Sequence, residues 1–360
     1  MTSLIGNAPV DGVDVAALLG IPISAEQERA VQAPLKPCAV IAGAGTGKTT
    51  VMAARVVWLV ASRLVSPEEI LGLTFTNKAT AELSERIESN LTRVGLLTSE
   101  QPRPTVATYD SFAGTLVNDY GAWDGISTGA HLITGARAYQ LAAEVVMGLD
   151  KAPLAATHMG PTFIAQAVVK LAGAMASHDA SPGKVRRADA RWRQMLLAAP
   201  TKKGEGIDTL ISINGSRESM NAKNSLILLP PIRISRKNAD WSSLATVWFK
   251  PPPSNSSPRV GEELRARYRV VLLDEYQDTS SAQADVLAAL FSGPDSAHGM
   301  GHPVMAVGDP LQAIYEWRGA AASNILEFHR RFPNKEGTPA RCSLSQPTAD
   351  APIRLSMRRT

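Results

Sequence analysis

The stretch Ala42-Gly43-Ala44-Gly45-Thr46-Gly47-Lys48-Thr49 has the spacing of a loop that cradles phosphate, with Ala42 where the simple pattern has its first glycine. Glycines let successive backbone N–H groups turn toward one anion, Lys48 neutralises charge on β and γ phosphates, and the Thr49 hydroxyl suits Mg2+. Nucleotide contacts are therefore expected from Gly43, Ala44, Gly45, Thr46, Gly47, Lys48 and Thr49, with Thr50 following in the same turn. Such a loop needs a carboxylate on a neighbouring strand to hold the metal, and Asp274 closes the apolar run VVLL. Glu275 comes next, where it can orient and deprotonate a water that attacks the γ-phosphate. That arrangement favours hydrolysis of a nucleoside triphosphate with Mg2+ over transfer to a substrate.

These groups must be positioned by strands and helices. CAVIAGAGTGKTTVMAARVVWLVASR changes from an apolar strand pattern to a helical one after Gly47. ILGLTFTNKATAELSERIESNL repeats the scheme, with a strand from Ile70 to Phe75 and a helix led by Asn77 or nearby. Further strands are expected at 270–274 and 303–309. Near-continuous apolar strands alternating with helices predict an α/β fold with a parallel sheet covered on both faces.

Between TVATYDSFAG (105–114) and the strand at 270 lie about 150 residues, too long for a loop in a compact sheet. The reading is a first part of the ATPase domain at 1–114, an inserted helical subdomain at 115–259, the second part at 260–333, and an atypical tail at 334–360. Within the insertion, 115–202 is rich in Ala, Leu and Val at helical spacing, whereas 203–258 turns abruptly to Ser, Pro and Asn.

Composition sets outer limits. With 360 residues and 44% hydrophobic content the chain can bury more than one core, and a net charge of +4 permits a polyanion partner without demanding one. Cys38 and Cys342 have no partner motif, which argues against a disulfide framework or a zinc site. The N-terminal stretch lacks the pattern of a secretory signal, and no apolar run nears the roughly 18 residues of a membrane span. A cytoplasmic protein is expected.

LTFTNKATAEL, LLDEYQDTS and VGDPLQAIYEWRGA resemble three successive motifs of the UvrD, Rep and PcrA helicases, the superfamily 1A DNA translocases. TYDSFAG resembles a fourth, and SAEQERAV resembles the adenine-reading glutamine motif. The likeness spans roughly 24–114 and 264–333, in the family's order. TYDSFAG and the P-loop region are most similar to subunits of AdnAB-type helicase–nucleases, although no nuclease motif is present.

The resemblance implies a RecA-like P-loop NTPase sheet and several further roles. Gln312 would face the γ-phosphate. Gln27 would contact adenine, although Ser24-Ala25-Glu26-Gln27 also reads as a capping box. Thr74, Phe75, Thr76 and Asn77 would bind DNA through hydroxyls, a helix N-terminus and one ring, or else form a plain helix cap. Ser111 and Phe112 would share that role, with Asp110 repelling phosphate beside them. Tyr315 and Trp317 suit stacking on single-stranded DNA and Arg318 suits a phosphate; the alternative for either aromatic is a place in the core. The basic run Lys184, Arg186, Arg187, Arg191 and Arg193 suits duplex DNA or a solvated helix face equally.

After 330–333 no family element is recognisable, so a second RecA-like domain with its arginine finger is expected to be absent. Changes of reading frame would account for both 203–258 and 341–360. The expected protein is the ATP-binding half of a DNA helicase or translocase, binding single-stranded or tailed duplex DNA, unable to unwind alone, and open to a second helicase subunit. The alternative is a degenerate or regulatory module that binds nucleotide without productive hydrolysis.

Overall fold

The computed structural model describes residues 12–124, 131–132, 135–148, 160–178, 180–198, 241–242, 257–314, 320–334 and 340–344. The chain forms two compact units: one gathers residues up to 112 with 254–279 and those from 283 onward, the other 113–253 with 280–282.

The first unit is built on a six-stranded sheet, and every pairing in it is parallel. Its strands are β1 (Cys38–Ala42), β2 (Ile70–Thr74), β3 (Thr105–Thr108), β6 (Val270–Leu273), β7 (Val304–Gly308) and β8 (Ala340–Leu344), in the order β3-β2-β6-β7-β1-β8. The labels β4 and β5 belong to the two-residue strands His131–Leu132 and Trp241–Ser242, which pair with each other. Buried runs such as ILGLT and VMAVG have no solvent face, as expected of a parallel sheet covered on both sides.

One face is packed by α1 (Val15–Leu19), α2 (Ala25–Val31), α3 (Lys48–Ala61) and α4 (Asn77–Arg93), whose apolar side chains join Val40, Ala42, Ile70, Val270, Leu272, Met305 and Val307 in one cluster. Alternation along the strands turns Leu71, Leu73, Val271 and Leu273 to the opposite face, and all four are buried. Around them lie aromatic pairs: Phe112 with Phe291 at 6.3 Å, Tyr276 with Phe328 at 5.8 Å, and Phe328 with Phe332 at 4.7 Å between ring centroids.

Because the strands are parallel, their C-terminal ends share one edge. The loop after β1 carries Gly43–Gly47, β6 leads to Asp274 and Glu275, and β7 leads to Asp309 and Gln312. Ligands of open α/β sheets bind at this edge, so the topology collects residues more than 200 positions apart in sequence.

Apart from the β4–β5 pair, the second unit is mainly helical in its described residues. Helix α5 (Tyr109–Tyr120) runs out of the first unit; α6 (Gly135–Met147), α7 (Pro161–Ser177) and α8 (Pro182–Ala198) follow. Ala142, Ala165 and Val168 form the buried centre of the α6–α7 contact, with Tyr139, Val146 and Ile164 packed against them. Among the described residues no helix is long and apolar enough to cross a membrane.

The tail that follows the last recognisable family element carries β8. Residues 340–344 lie beside β1 with Ala39 opposite Arg341 and Val40 opposite Cys342. The sequence ARCSL alternates small apolar and polar residues, the pattern of an edge strand and not the continuous apolar run that marks β2 or β7. Of the two segments with anomalous composition, only 241–242, 257–258 and 341–344 lie among the described residues; the rest of 203–258 and 341–360 lies outside them.

Candidate nucleotide-binding site

Two glycines make the phosphate loop possible. Gly45 and Gly47 adopt φ of +71° and +82°, a left-handed conformation that residues with a Cβ rarely hold. Gly47 is the N-cap of α3 and has no side chain to bond the first N–H groups of that helix. They remain donors for an anion, reinforced by the positive end of the helix dipole. Thr46, buried, donates its hydroxyl to Gly43 O at 2.9 Å and fixes the loop's curve.

Gln27 satisfies both halves of its amide. Its Oε1 accepts from Ser24 N–H at 2.9 Å, completing a capping box on α2, while Nε2 donates to Thr46 O at 2.9 Å. It therefore holds the loop from outside.

The other side of the loop is closed by charge. Lys48 Nζ lies 3.1 Å from Glu275 Oε2 and 3.5 Å from Gln312 Oε1, so side chains from the tips of β6 and β7 converge on the lysine. Glu275 has φ of +45°, which is rare for a residue with a side chain and costs on the order of 1 kcal/mol. That backbone turns the chain into the 3-10 turn Tyr276–Asp278.

Asp274 sits one residue earlier and is buried. Burial, and then the charge of Glu275, push its carboxyl from 3.8 up to about 7; the Glu275 N–H and Lys48 oppose the shift. The Glu275 N–H donates to Asp274 Oδ1 at 3.0 Å. Tyr109 donates its hydroxyl to Asp274 O at 2.8 Å, and its own ionisation is driven well above the usual phenol range by burial and by Asp274. A desolvated carboxylate beside a second carboxylate is a place where a hard cation replaces a proton. With the hydroxyl of Thr49, an all-oxygen donor set fits Mg2+. Thr50 Oγ1 accepts from Arg86 at 3.0 Å, tying α3 to α4.

The expected DNA positions divide. Thr76 and Asn77 are exposed at the start of α4, where Thr76 Oγ1 caps Ala79 N–H at 3.1 Å, and Phe75 is half-buried. Ser111 is exposed and accepts the Thr108 hydroxyl at 2.8 Å. Two of these side chains lie inside the fold. Thr74 is fully buried, with its hydroxyl on Thr76 O at 3.2 Å and Thr80 Oγ1 at 2.5 Å, so it braces the turn from inside. Phe112 is buried against Phe291 and belongs to the core. Tyr315, Trp317 and Arg318 lie outside the described residues. Just before them Leu311 and Ile314 are strongly exposed, at 93% and 69%. Lys184, Arg186, Arg187 and Arg191 are exposed on α8.

Sequence reasoning passed over Gln277, although it stands inside the quoted motif LLDEYQDTS. Its side chain is buried, its Nε2 donates to Glu275 Oε2 at 2.7 Å, and its Oε1 accepts Asp309 N–H at 3.0 Å. The available signal was polarity, since a glutamine in a turn that also holds three carboxylates has hydrogen bonds to make there.

Comparison with known proteins adds an independent view. The model of the UvrD/REP helicase N-terminal domain matches residues 23–333. The chain is 27% identical over 313 residues to a DNA helicase II of Rickettsia typhi, covering 86% of this chain and 40% of that one. It is 28% identical over 317 residues to the ATP-dependent DNA helicase UvrD1 of Mycobacterium tuberculosis, covering 87% and 36%. Against DNA helicase II of Escherichia coli the identity is 26% over 326 residues, covering 90% and 38%. The chain thus spans well under half the length of these relatives.

Proposed function

The chain belongs to the UvrD/REP helicase family through the N-terminal domain that it carries, and from that premise we propose that it is the ATP-binding half of an ATP-dependent DNA translocase. The carrying observation is the meeting of Lys48, Glu275 and Gln312 at 3.1 and 3.5 Å, since it gathers a phosphate-loop cation, a carboxylate and an amide from three strand tips. Lys48 exchanges Glu275 for the β and γ phosphates, and the freed carboxylate orients a water toward the γ-phosphate. Asp274 and Thr49 would hold Mg2+, which when bound would screen the charge of the phosphates. To read adenine, Gln27 gives up either Ser24 N–H or Thr46 O.

On this reading the same edge of the sheet faces single-stranded or tailed duplex DNA. Thr76, Asn77 and Ser111 suit phosphate, Phe75, Tyr315 and Trp317 suit bases, and Arg318 adds a charge. Leu311 and Ile314, exposed beside Gln312, suit apolar contact with a further domain or subunit. The cytoplasm is the compartment where such a substrate is met.

Steady-state ATPase with and without oligo-dT tests the proposal. Binding of MgATP with turnover that rises with DNA is the expected result. Binding without turnover under either condition would favour a regulatory module, and absence of binding would remove the nucleotide site altogether.

A further inference from the structure

Gln277 is 1% exposed, and its amide has one workable orientation. Nε2 faces Glu275 Oε2 at 2.7 Å and Asp278 Oδ2 at 3.3 Å, while Oε1 faces the Asp309 N–H at 3.0 Å. Turned over, the amide would set its oxygen against two carboxylates and its NH2 against another N–H. Asp309 O in turn accepts Gln312 N–H at 3.0 Å, and Gln312 Oε1 lies 3.5 Å from Lys48 Nζ, which returns to Glu275 at 3.1 Å. These contacts form a closed ring through the phosphate loop, the tip of β6 and the tip of β7. Gly308 is part of the fit: a Cβ there would collide with Gln277 Oε1 and lie 2.9 Å from Ile325 Cδ1.

Resting on the nucleotide-site reading, we propose that Gln277 is a positioning residue that fixes the Glu275 carboxylate and couples it to the Asp309–Gln312 turn. Lys48 and Gln277 share the same oxygen of Glu275. When phosphate draws Lys48 away, Gln277 becomes the remaining described hold on that oxygen, and any movement of Glu275 passes through the amide to the Asp309 N–H. Glutamine suits the task because a single side chain must donate on one side and accept on the other; a glutamate, methionine or alanine in its place loses at least one of those bonds.

The test is hydrogen–deuterium exchange of the 309–314 segment, with and without Mg2+ and a non-hydrolysable ATP analogue, in the wild type, Gln277→Met, Gln277→Glu and the double variant Glu275→Gln/Gln277→Glu. In the wild type the analogue should change exchange in this segment. In Gln277→Met the nucleotide-free segment should exchange about tenfold faster, the effect expected of one lost buried hydrogen bond; in Gln277→Glu, where the bond to Glu275 becomes a repulsion between carboxylates, and in Gln277→Met alike, the response to the analogue should vanish. The double variant reverses donor and acceptor between positions 275 and 277, and the carboxylate it introduces can still accept the Asp309 N–H, so most of the protection should return. Wild-type exchange and response in Gln277→Met, or no recovery in the double variant when thermal melts show it folded, would overturn the coupling. Failure of the wild type to bind the analogue would overturn the nucleotide site and this inference with it, and is told apart by titrating the analogue directly. Should Gln277→Glu fail to fold, the methionine variant and the double variant still decide.

Discussion

At the scale of single residues, Asp274 makes pH a probe of the site. Its carboxyl is raised from 3.8 to about 7, first by burial and then by Glu275, so the folded state favours the protonated form. The sign follows: its contribution to stability is fully present below about pH 4 and is lost as pH climbs through about 7. Asp274→Asn removes that titration, so the variant should gain on the wild type between about pH 5 and pH 8, by on the order of 2 to 4 kcal/mol, in urea midpoints measured without Mg2+. A difference that stays flat with pH would mean the carboxyl is not desolvated. Mg2+ requires the ionised form, so wild-type binding of Mg2+ with nucleotide should strengthen over the same interval. Lys48→Ala should abolish ATP binding, because it removes the cation of the loop while leaving its glycines in place; unchanged affinity for a fluorescent ATP analogue would refute the assignment. Lys48, Asp274 and Glu275 were legible because their spacing to local strand and loop patterns is short and strict. Gln277 was not, since its partner Asp309 is 32 positions away and becomes a neighbour only when β6 pairs with β7.

At the scale of elements, one buried cation decides how α2 meets α3. Arg55, fully buried on α3, donates to Val31 O and Ala33 O at 2.8 Å each and reaches Ala30 O and Pro34 O at 3.4 Å, filling the carbonyl end of α2 and the turn beyond it. Helix C-termini leave such carbonyls without internal partners, and here they lie away from water. Arg55→Met keeps much of the stem's packing but strands several carbonyls, so it should cost about 2 to 5 kcal/mol in urea unfolding. Since α2 also carries Gln27 to Thr46, nucleotide affinity should fall with it; a loss under about 1 kcal/mol would show that water replaces the guanidinium. The sequence shows the arginine within TTVMAARVVWLV but not what it meets. Strands β1, β2, β6 and β7 were readable from apolar runs, which end at glycine or aspartate in β1, β6 and β7 and at Thr76-Asn77 after β2. β8 was not, because an alternating edge strand resembles a polar loop until β1 supplies its partner, and strand order is a property of pairing that no local pattern encodes.

At the scale of the whole molecule, the question is what a chain matching 36 to 40% of its relatives' length can do by itself. Translocation requires two DNA-gripping surfaces whose separation changes as a cleft closes around ATP. On the proposed function, the sheet edge holding Lys48, Glu275 and Gln312 is one wall of that cleft, and the surface around Thr76 and Asn77 is one grip. A second wall would also supply an arginine to the transferring phosphoryl group, worth a factor of about 10³ to 10⁵ in rate at related sites. The 360 residues assayed alone should therefore bind MgATP, hydrolyse it slowly and fail to separate strands. DNA binding should weaken as salt rises, because phosphate contacts release counterions. The measurement is strand displacement on a 3′-tailed duplex with purified, monodisperse protein, repeated after adding a separately expressed second RecA-like domain. Unwinding by the lone chain would overturn the one-wall argument. Recovery on adding the second domain would show that the site formed by these residues is competent once an opposing surface is supplied.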